Sequence, residues 1–419
     1  MQKNNNLLLP IYLILNILTT LVCSYLVIDK TINLYKLSRL YIVMLVINII
    51  ILVIMLIKNI IQKKKTSYKS SDLFLLFIVI FSLISACFAI NTKVAFFGFK
   101  GRYEGFFQIM YYFSLFLLAS LTDKQYRKYI VYAIIFSGFI ECIYAILQIK
   151  GWLPVHIQYR NGNPWANGFT INPNFFGTLM LLCLSYVIGL FIDSDDVNTK
   201  IVFGLLIAVF MIGLLISNTL SVLVGLSIVY IYVLIYSIKN KKYFNFTILT
   251  AILAIISITL YATGDTYLFK SVAKTNNQTV DIIKGNAQDN YGTNRIFIWR
   301  NTLKIVPENL LHGVGIDNFY YAFGKKPLTM NKWVFDKAHN EYLQILICEG
   351  VFSLIAYLIF FGVITIKGIK KSYENKEIYL ILPIIGYLVQ AFFNISVLEV
   401  APFFYIALGL CINREKTNK

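Results

Sequence analysis

Residues 174–192 read NFFGTLMLLCLSYVIGLFI, nineteen positions without a single charge. At 1.5 Å per residue, a helix of that length crosses most of the ~30 Å hydrocarbon core of a bilayer. The pattern recurs on both sides. Residues 7–28, 40–57, 73–90, 106–121, 129–149, 201–216, 221–238, 246–262, 342–366, 378–395 and 397–412 are apolar runs of similar length, so about twelve spans are expected, the last two joined as a tight hairpin. The composition agrees. Of 419 residues, 58% are hydrophobic and 14% charged, against about 45–50% and 25% in soluble domains. This excludes a water-soluble globule, and 16% aromatic residues exclude a disordered chain. The expected fold class is all-α: a polytopic membrane protein forming a single integral membrane domain over residues 1–419.

The net charge is +18. In a soluble protein that would point to nucleic acid; here basic loops on the cytoplasmic side account for it, and no nucleic-acid partner is expected. With the N-terminus inside, twenty Lys and Arg residues fall in cytoplasmic segments, among them Lys58, Lys63, Lys64, Lys65 and Lys239, and eight in the short outer loops. Both termini are therefore expected in the cytoplasm, with the chain in the cell (inner, cytoplasmic) membrane. The first apolar run is long and lacks a cleavage site, so it reads as a span rather than a signal peptide. Cys23, Cys87, Cys142, Cys183, Cys348 and Cys411 lie in apolar stretches without CxxC spacing, which reads as buried small residues rather than disulfides or zinc ligands.

This orientation puts the longest polar segment, 263–341, outside, together with His156, His312 and His339. A loop of that length in a compact protein is usually functional. Within it, Ile296, Trp299, Leu303 and Val306 recur at helical spacing before Pro307, so residues 294–305 are expected as an amphipathic helix at the membrane surface. Asp336 or Asn331 is expected to cap the helix that follows Ala338-His339-Asn340-Glu341-Tyr342.

Other outward segments carry polar groups. Glycines frame Arg102 and Glu104 in Gly98-Phe99-Lys100-Gly101-Arg102-Tyr103-Glu104-Gly105; the plainer reading is a flexible turn in which the two pair. Arg160 precedes Gly168-Phe169-Thr170-Ile171-Asn172-Pro173-Asn174, where Asn172 and Asn174 flank a first-turn proline, the signature of a helix N-cap and a setting suited to an anion. Arg295 and Arg300 suit phosphate oxygens. Ser217-Asn218-Thr219-Leu220-Ser221 reads as a hairpin tip. Glu141, Glu349 and Glu399 lie in apolar surroundings. Asp193-Ser194-Asp195-Asp196 resembles a metal-binding acidic pair but falls in a short cytoplasmic loop and reads as solvated. The sequence holds no P-loop pattern and offers no metal site or cofactor motif.

The order of these elements resembles the O-antigen ligase and polymerase superfamily of bacterial membrane glycosyltransferases. The resemblance rests on Gly101-Arg102-Tyr103-Glu104-Gly105, Gly168-Phe169-Thr170 with Asn172-Pro173-Asn174, Arg295 with Trp299, Gly313-Val314-Gly315, and His339-Asn340-Glu341-Tyr342 with Glu349-Gly350, across roughly residues 90–400. It implies a glycan donor carried on undecaprenyl diphosphate and transfer to a glycan, lipid or protein hydroxyl at the outer membrane face, without metal or nucleotide sugar. It also implies that Arg160 and Arg295 grip the diphosphate, that His339 is the catalytic base, and that Arg102, Glu104, Asn172, Asn174, Trp299, Arg300, Asn340 and Glu341 line the substrate site among membrane lipids. The chain departs from the family where members carry a Ser-x-Ser-Arg turn: 217–221 has no arginine.

The chemistry is consistent with this. Fixed guanidinium groups neutralise a departing diphosphate, and a base that removes the hydroxyl proton during attack contributes about 10²–10⁴-fold. Ligase and polymerase differ in the acceptor and stay open, although a composition rich in Ile, Lys, Asn and Tyr tilts toward polymerisation of a capsule or wall polysaccharide. The rival class is a polysaccharide or lipid-linked oligosaccharide transporter or flippase, which should show internal repeats and midplane polar groups; neither is evident.

Overall fold

The computed structural model describes residues 7–62, 70–153, 158–160, 163–264, 266–324 and 326–412, with the side chains of 158–160, 163 and 164 outside the description. Lys63, Lys64, Lys65 and His156, and the side chain of Arg160, thus lie outside the described set. The chain is helical nearly throughout: α1 Leu8–Ile28, α2 Leu34–Ile61, α3 Ser70–Cys87, α4 Thr92–Phe97, α5 Phe106–Ser120, α6 Arg127–Ile149, α7 Pro173–Asp193, α8 Val197–Ile216, α9 Leu220–Lys239 and α10 Tyr243–Thr263. Then follow α11 Leu268–Ile283, α12 Tyr291–Ile305, α13 Glu341–Glu349, α14 Val351–Asn375, α15 Leu382–Ala391 and α16 Ala401–Ile412. Two small antiparallel hairpins, β1 Gln158–Arg160 with β2 Asn163–Trp165 and β3 Thr329–Met330 with β4 Trp333–Val334, are the described strands.

Among the described residues, nine helices are long and apolar enough to cross a bilayer, and three shorter apolar ones fall on the remaining expected spans. The helix quoted at the outset, α7, is wholly buried along its apolar length and packs against α6, α8, α9 and α15, whereas α10 packs at the edge against α8 with only Asn245 and Leu249 buried. Val43, Val46, Ile50, Ile54 and Ile57 of α2 are exposed. A water-facing helix would not present that face; a lipid-facing one does.

Several boundaries differ from the sequence reading. The expected span 342–366 is two helices: Gly350, at φ +86°, breaks the chain between α13 and α14. A Cβ there would also overlap the Leu311 carbonyl, so only glycine fits. The expected hairpin of spans 378–395 and 397–412 is instead a short α15 and a short α16 joined by the non-helical residues 392–400, whose polar groups are used in tertiary contacts described below. Helix α2 starts earlier than expected, because Asn33 caps it by accepting from the Lys36 N–H at 3.0 Å; Lys36 and Arg39 are helical, not loop. Cys87 is exposed at the end of α3, and all six cysteines are free.

Inside the long segment, α12 has the expected C-terminus but a different inward face. Ile298 and Thr302 are buried and Leu303 is 56% exposed, and Gly292, Thr293 and Asn294 are left-handed, so regular helix begins at Arg295. The helix with the more sharply segregated faces is α11, which the sequence reading did not single out.

Interactions sort the connecting segments into two sets. In one, Lys124 and Arg127 face Glu377, Lys242 bonds Asp195, the Asp193 carboxylate accepts from Tyr236 Oη (2.8 Å) and Ile378 N (3.0 Å), and Lys367 bonds Ser70. Asp193 and Asp195 are thus paired, and Asp196 caps α8. In the other set, Asn218 accepts from Tyr267 N, Asn91 from Asn318 Nδ2, Phe393 from Arg295, and Pro173 from Thr219. Every pair joins segments that the charge bias assigns to the same side.

Candidate active site

Residues 98–105 close into a ring. Arg102 N and Tyr103 N donate to the Phe99 carbonyl at 2.9 and 2.8 Å, and Gly98 and Gly105 abut so closely that a Cβ on either would overlap backbone. The ring leaves two N–H groups pointing inward, those of Phe99 and Glu104. Asp317 Oδ2 accepts from both, at 2.6 and 3.2 Å. Its other oxygen is paired with Lys337 Nζ, and Asp317 and Lys337 are 2% and 4% exposed. Beside this pair, Arg102 forks onto Asp336, Nε to Oδ2 at 2.7 Å and Nη2 to Oδ1 at 3.1 Å. Arg102 therefore pairs with Asp336 and not with Glu104, which is buried and accepts from Tyr112 Oη at 2.6 Å.

The consecutive residues Asp336 and Lys337 lead directly to His339. Ala338 between them is fixed on both sides of its peptide: its N–H donates to Gln344 Oε1 (2.8 Å) and its carbonyl accepts from Trp299 Nε1 (3.0 Å). His339 is left-handed, φ +50°, a conformation that costs about 1–3 kcal/mol at a non-glycine residue and persists only where its surroundings fix it. Asn340 follows and caps α13, accepting from the Leu343 N–H at 3.0 Å. The cap is Asn340, neither Asp336, which holds Arg102, nor Asn331, which lies in the β3–β4 turn. His339 therefore lies immediately before the Asn340 cap, outside α13.

The imidazole is half-buried, and its pKa is pulled down to about 3: burial is the main cause, followed by the Arg295 and Arg102 guanidinium groups, with Lys337 adding and Asp336 opposing. His339 is thus held as a neutral imidazole, with Arg295 and Arg102 both within electrostatic reach. Arg295, at the start of the regular part of α12, is tied by Nη1 to the Gly292 carbonyl and by Nη2 to the Phe393 carbonyl, both at 2.9 Å. The next residue, Asn394, donates to Thr178 Oγ1 at 3.1 Å, which links the 392–400 segment to α7. At the start of α7, Asn172 accepts from Asn174 N (2.9 Å) and Asn174 Oδ1 accepts from Thr219 Oγ1 (3.2 Å), so the asparagines cap and brace the helix beside the 217–221 turn.

Not every expected residue joins this group. Arg300 turns to Asp289 (2.6 Å) and the Ala287 carbonyl, about half-exposed. Glu341 is enclosed rather than outward-facing: it accepts from Tyr357 Oη at 2.6 Å, and its pKa is raised to about 7 by burial, with the tyrosines opposing. His312 lies over Phe88 with Nδ1 against the Gly313 carbonyl, in a turn.

Behind the ring lies a cavity of about 80 Å³ lined by Glu104, Asp317, Lys337, Glu341 and Glu349 among tyrosines 112, 357 and 405. That is room for several waters, and its walls are polar enough to hold them. Among the described residues no three His, Cys, Asp or Glu side chains are placed to share a metal ion. The carboxylates face separate partners, Glu349 bonding Ser82 and Ser353. Asp317 and Lys337 were not anticipated from sequence. The one signal was Asp317 directly after the Gly313-Val314-Gly315-Ile316 turn, itself left-handed at φ +56°.

Residues 203–397 match a family model described as O-antigen ligase. This interval contains Arg295, Asp317, Lys337, His339 and Glu341 and leaves out Arg102, Glu104, Asn172 and Asn174. No curated protein matches the chain.

Proposed function

We propose that this chain is a multi-pass membrane glycosyltransferase of surface polysaccharide biosynthesis, a reading supported by the match of residues 203–397 to the O-antigen ligase family model, and that it carries out the following reaction. The donor is a glycan on undecaprenyl diphosphate, the acceptor a glycan, lipid or protein hydroxyl, and transfer takes place at the outer face of the cell membrane. The observation that carries this reading is His339: an imidazole in a left-handed residue, kept neutral by burial and by the electrostatic reach of Arg295 and Arg102.

His339 takes the acceptor proton as the acceptor oxygen bonds to the anomeric carbon. The bond from that carbon to the diphosphate oxygen breaks, and the diphosphate leaves with the electron pair. Arg295, with Arg160, neutralises the charge that develops, a role a guanidinium fills without metal. The same arrangement makes the base respond to the donor. In the free enzyme burial and, after it, the arginines suppress the imidazolium. A bound diphosphate offsets their charge and raises the basicity of His339 at the moment a base is needed. The segment 263–341 then faces outward and both termini inward.

The test is the glycolipid profile of a deletion strain. Single repeats accumulating on the lipid at the outer face mean polymerase, and full-length polymer on the lipid means ligase. Repeats held at the cytoplasmic face mean a flippase and overturn the proposal. Activity of the purified protein should survive EDTA.

A further inference from the structure

We propose that Asp317 is a positioning residue that sets His339 through Lys337, with the 98–105 ring as the fixed body from which it acts. The inference rests on the reading of His339 as the base.

Three observations carry it. First, Asp317 has no conformational latitude. It is 2% exposed, left-handed, and receives the inward N–H groups of Phe99 and Glu104 through one oxygen. Its turn is also stitched down on either side, Val314 N to the Ile347 carbonyl and Gly315 N to the Cys348 carbonyl, both at 2.9 Å, and Asn318 to Asn91 in both directions. Second, its remaining oxygen pairs with Lys337, two residues before His339. With Arg102 on Asp336, two consecutive residues of opposite sign are gripped by partners of opposite sign, one a member of the ring and the other hydrogen-bonded to it. A one-residue slip of the 336–339 segment would bring Lys337 to Arg102 in one direction or Asp336 to Asp317 in the other, a like-charge contact either way. Third, the strand needs such a grip. His339 sits in a backbone conformation that relaxes unless both flanks are held. The C-terminal flank is held by the Asn340 cap; the N-terminal flank is held by the two ion pairs and the fixed Ala338 peptide.

Asp317 does not touch the reacting atoms in this account. Its replacement should displace the imidazole without altering donor binding, and a displacement near 1 Å costs about 10²-fold in rate. The experiment is a double-mutant cycle on purified full-length protein, with the lipid-linked glycan accumulated by the deletion strain as donor. Asp317→Asn keeps the size and an acceptor oxygen but removes the charge facing Lys337. Expected is a fall in kcat of about 10- to 100-fold with KM for the donor nearly unchanged. In a His339→Ala background the same substitution should change the residual rate by less than about twofold, because groups acting as one unit are not additive.

An equal fall in both backgrounds, an unchanged kcat, or a loss confined to KM would each refute the inference while leaving His339 as the base. Wild-type turnover from His339→Ala alone would instead sink the proposed mechanism and this inference with it. Should Asp317→Asn fail to accumulate in membranes, Arg102→Lys on the partly exposed arm of the same grip takes its place in the cycle, with the same expected pattern.

Discussion

Arg102 and Asp336, 234 residues apart in sequence, are joined by two nearly parallel N–H···O bonds of 2.7 and 3.1 Å. The fork uses the planar geometry that distinguishes arginine from lysine. It also commits Arg102 Nε and Nη2 to the protein. The pair is about one-fifth exposed on each side, so a reversed pair can be accommodated. Arg102→Asp and Asp336→Arg singly should each lower turnover by about 10-fold or more, since each sets like charges side by side. The double exchange should restore it to within about fivefold. A double variant as inactive as the singles would show that Arg102 acts directly on substrate.

The proposed role of His339 as base fixes the pH dependence expected of turnover. Its ordinary value is 6.5, and in the free protein burial and the two guanidinium groups hold it near 3. The profile of kcat/KM reports free enzyme, so it should show no ionisation near 6.5 and should fall only as pH drops toward 3. The profile of kcat reports the donor complex, where the diphosphate offsets the arginines, so its acid limb should lie at higher pH. Arg102→Ala removes a positive neighbour and should move the kcat/KM limb upward. Coincident limbs in the two profiles would remove the coupling between donor and base.

Stability should respond in the opposite direction at Glu104. Burial raises its carboxyl from 4.5 to about 8, against the opposing effects of Lys337 and Tyr112. A raised folded-state value means the folded form holds the proton longer. The contribution is therefore complete below pH 4.5 and is lost as pH rises through 8, at up to about 1.4 kcal/mol per unit of pH. The thermal midpoint in detergent should fall across this window, and Glu104→Gln should flatten the slope. An unchanged slope in that variant would assign the effect to another group.

What the sequence disclosed and what it hid divide along a physical line. Spans, the Asn172 cap and the stop at Pro307 are local: periodicity, an acceptor side chain and a missing N–H act within a few residues. The place of His339 just before a helix, after a long polar loop with arginines, was legible for the same reason; the role proposed for it is not a matter of local pattern. The partner of Arg102 was not legible, since nothing near Arg102 distinguishes Glu104, two residues away, from Asp336. The ring settles the choice by turning Glu104 inward to Tyr112. The break at Gly350 was missed because residues 342–366 are apolar throughout, and only contact with the Leu311 carbonyl makes a glycine necessary there. The last two helices are shorter than their apolar runs because Phe393 and Asn394 bond Arg295 and Thr178 instead of continuing a helix.

Orientation can be read by accessibility. In a cysteine-less background, Asn286→Cys lies after α11 in the long segment, and Lys241→Cys lies in the turn between α9 and α10. A membrane-impermeant thiol reagent on intact cells should label the first and not the second. The warrant is the excess of twenty basic residues over eight and the separation of the two sets of contacting segments. The reverse labelling pattern would place the His339 site in the cytoplasm and end the outer-face reading.

The two described histidines of the long segment provide a matched comparison. His339 is left-handed and neutral beside Arg295 and Arg102, with its flanks fixed by Ala338 and Asn340. His312 lies against Phe88 and bonds the Gly313 carbonyl. No described contact makes the His339 ring a structural support, because its neighbours are braced through their own backbone and side chains. His339→Ala should therefore keep membrane level and donor affinity near wild type while turnover falls by about 10²-fold or more, the usual contribution of a positioned base. Relief of the imidazole's desolvation should leave thermal stability equal or slightly higher. His312→Ala should retain turnover and lose at most a little stability from the turn. Both variants are compared by donor binding and single-turnover rate on the same preparation. Wild-type turnover from His339→Ala, or a loss of donor affinity alone, would move the base elsewhere. Glu104 and Glu341 would be poor successors, since each is buried in the cavity wall and already accepts a tyrosine hydroxyl at 2.6 Å.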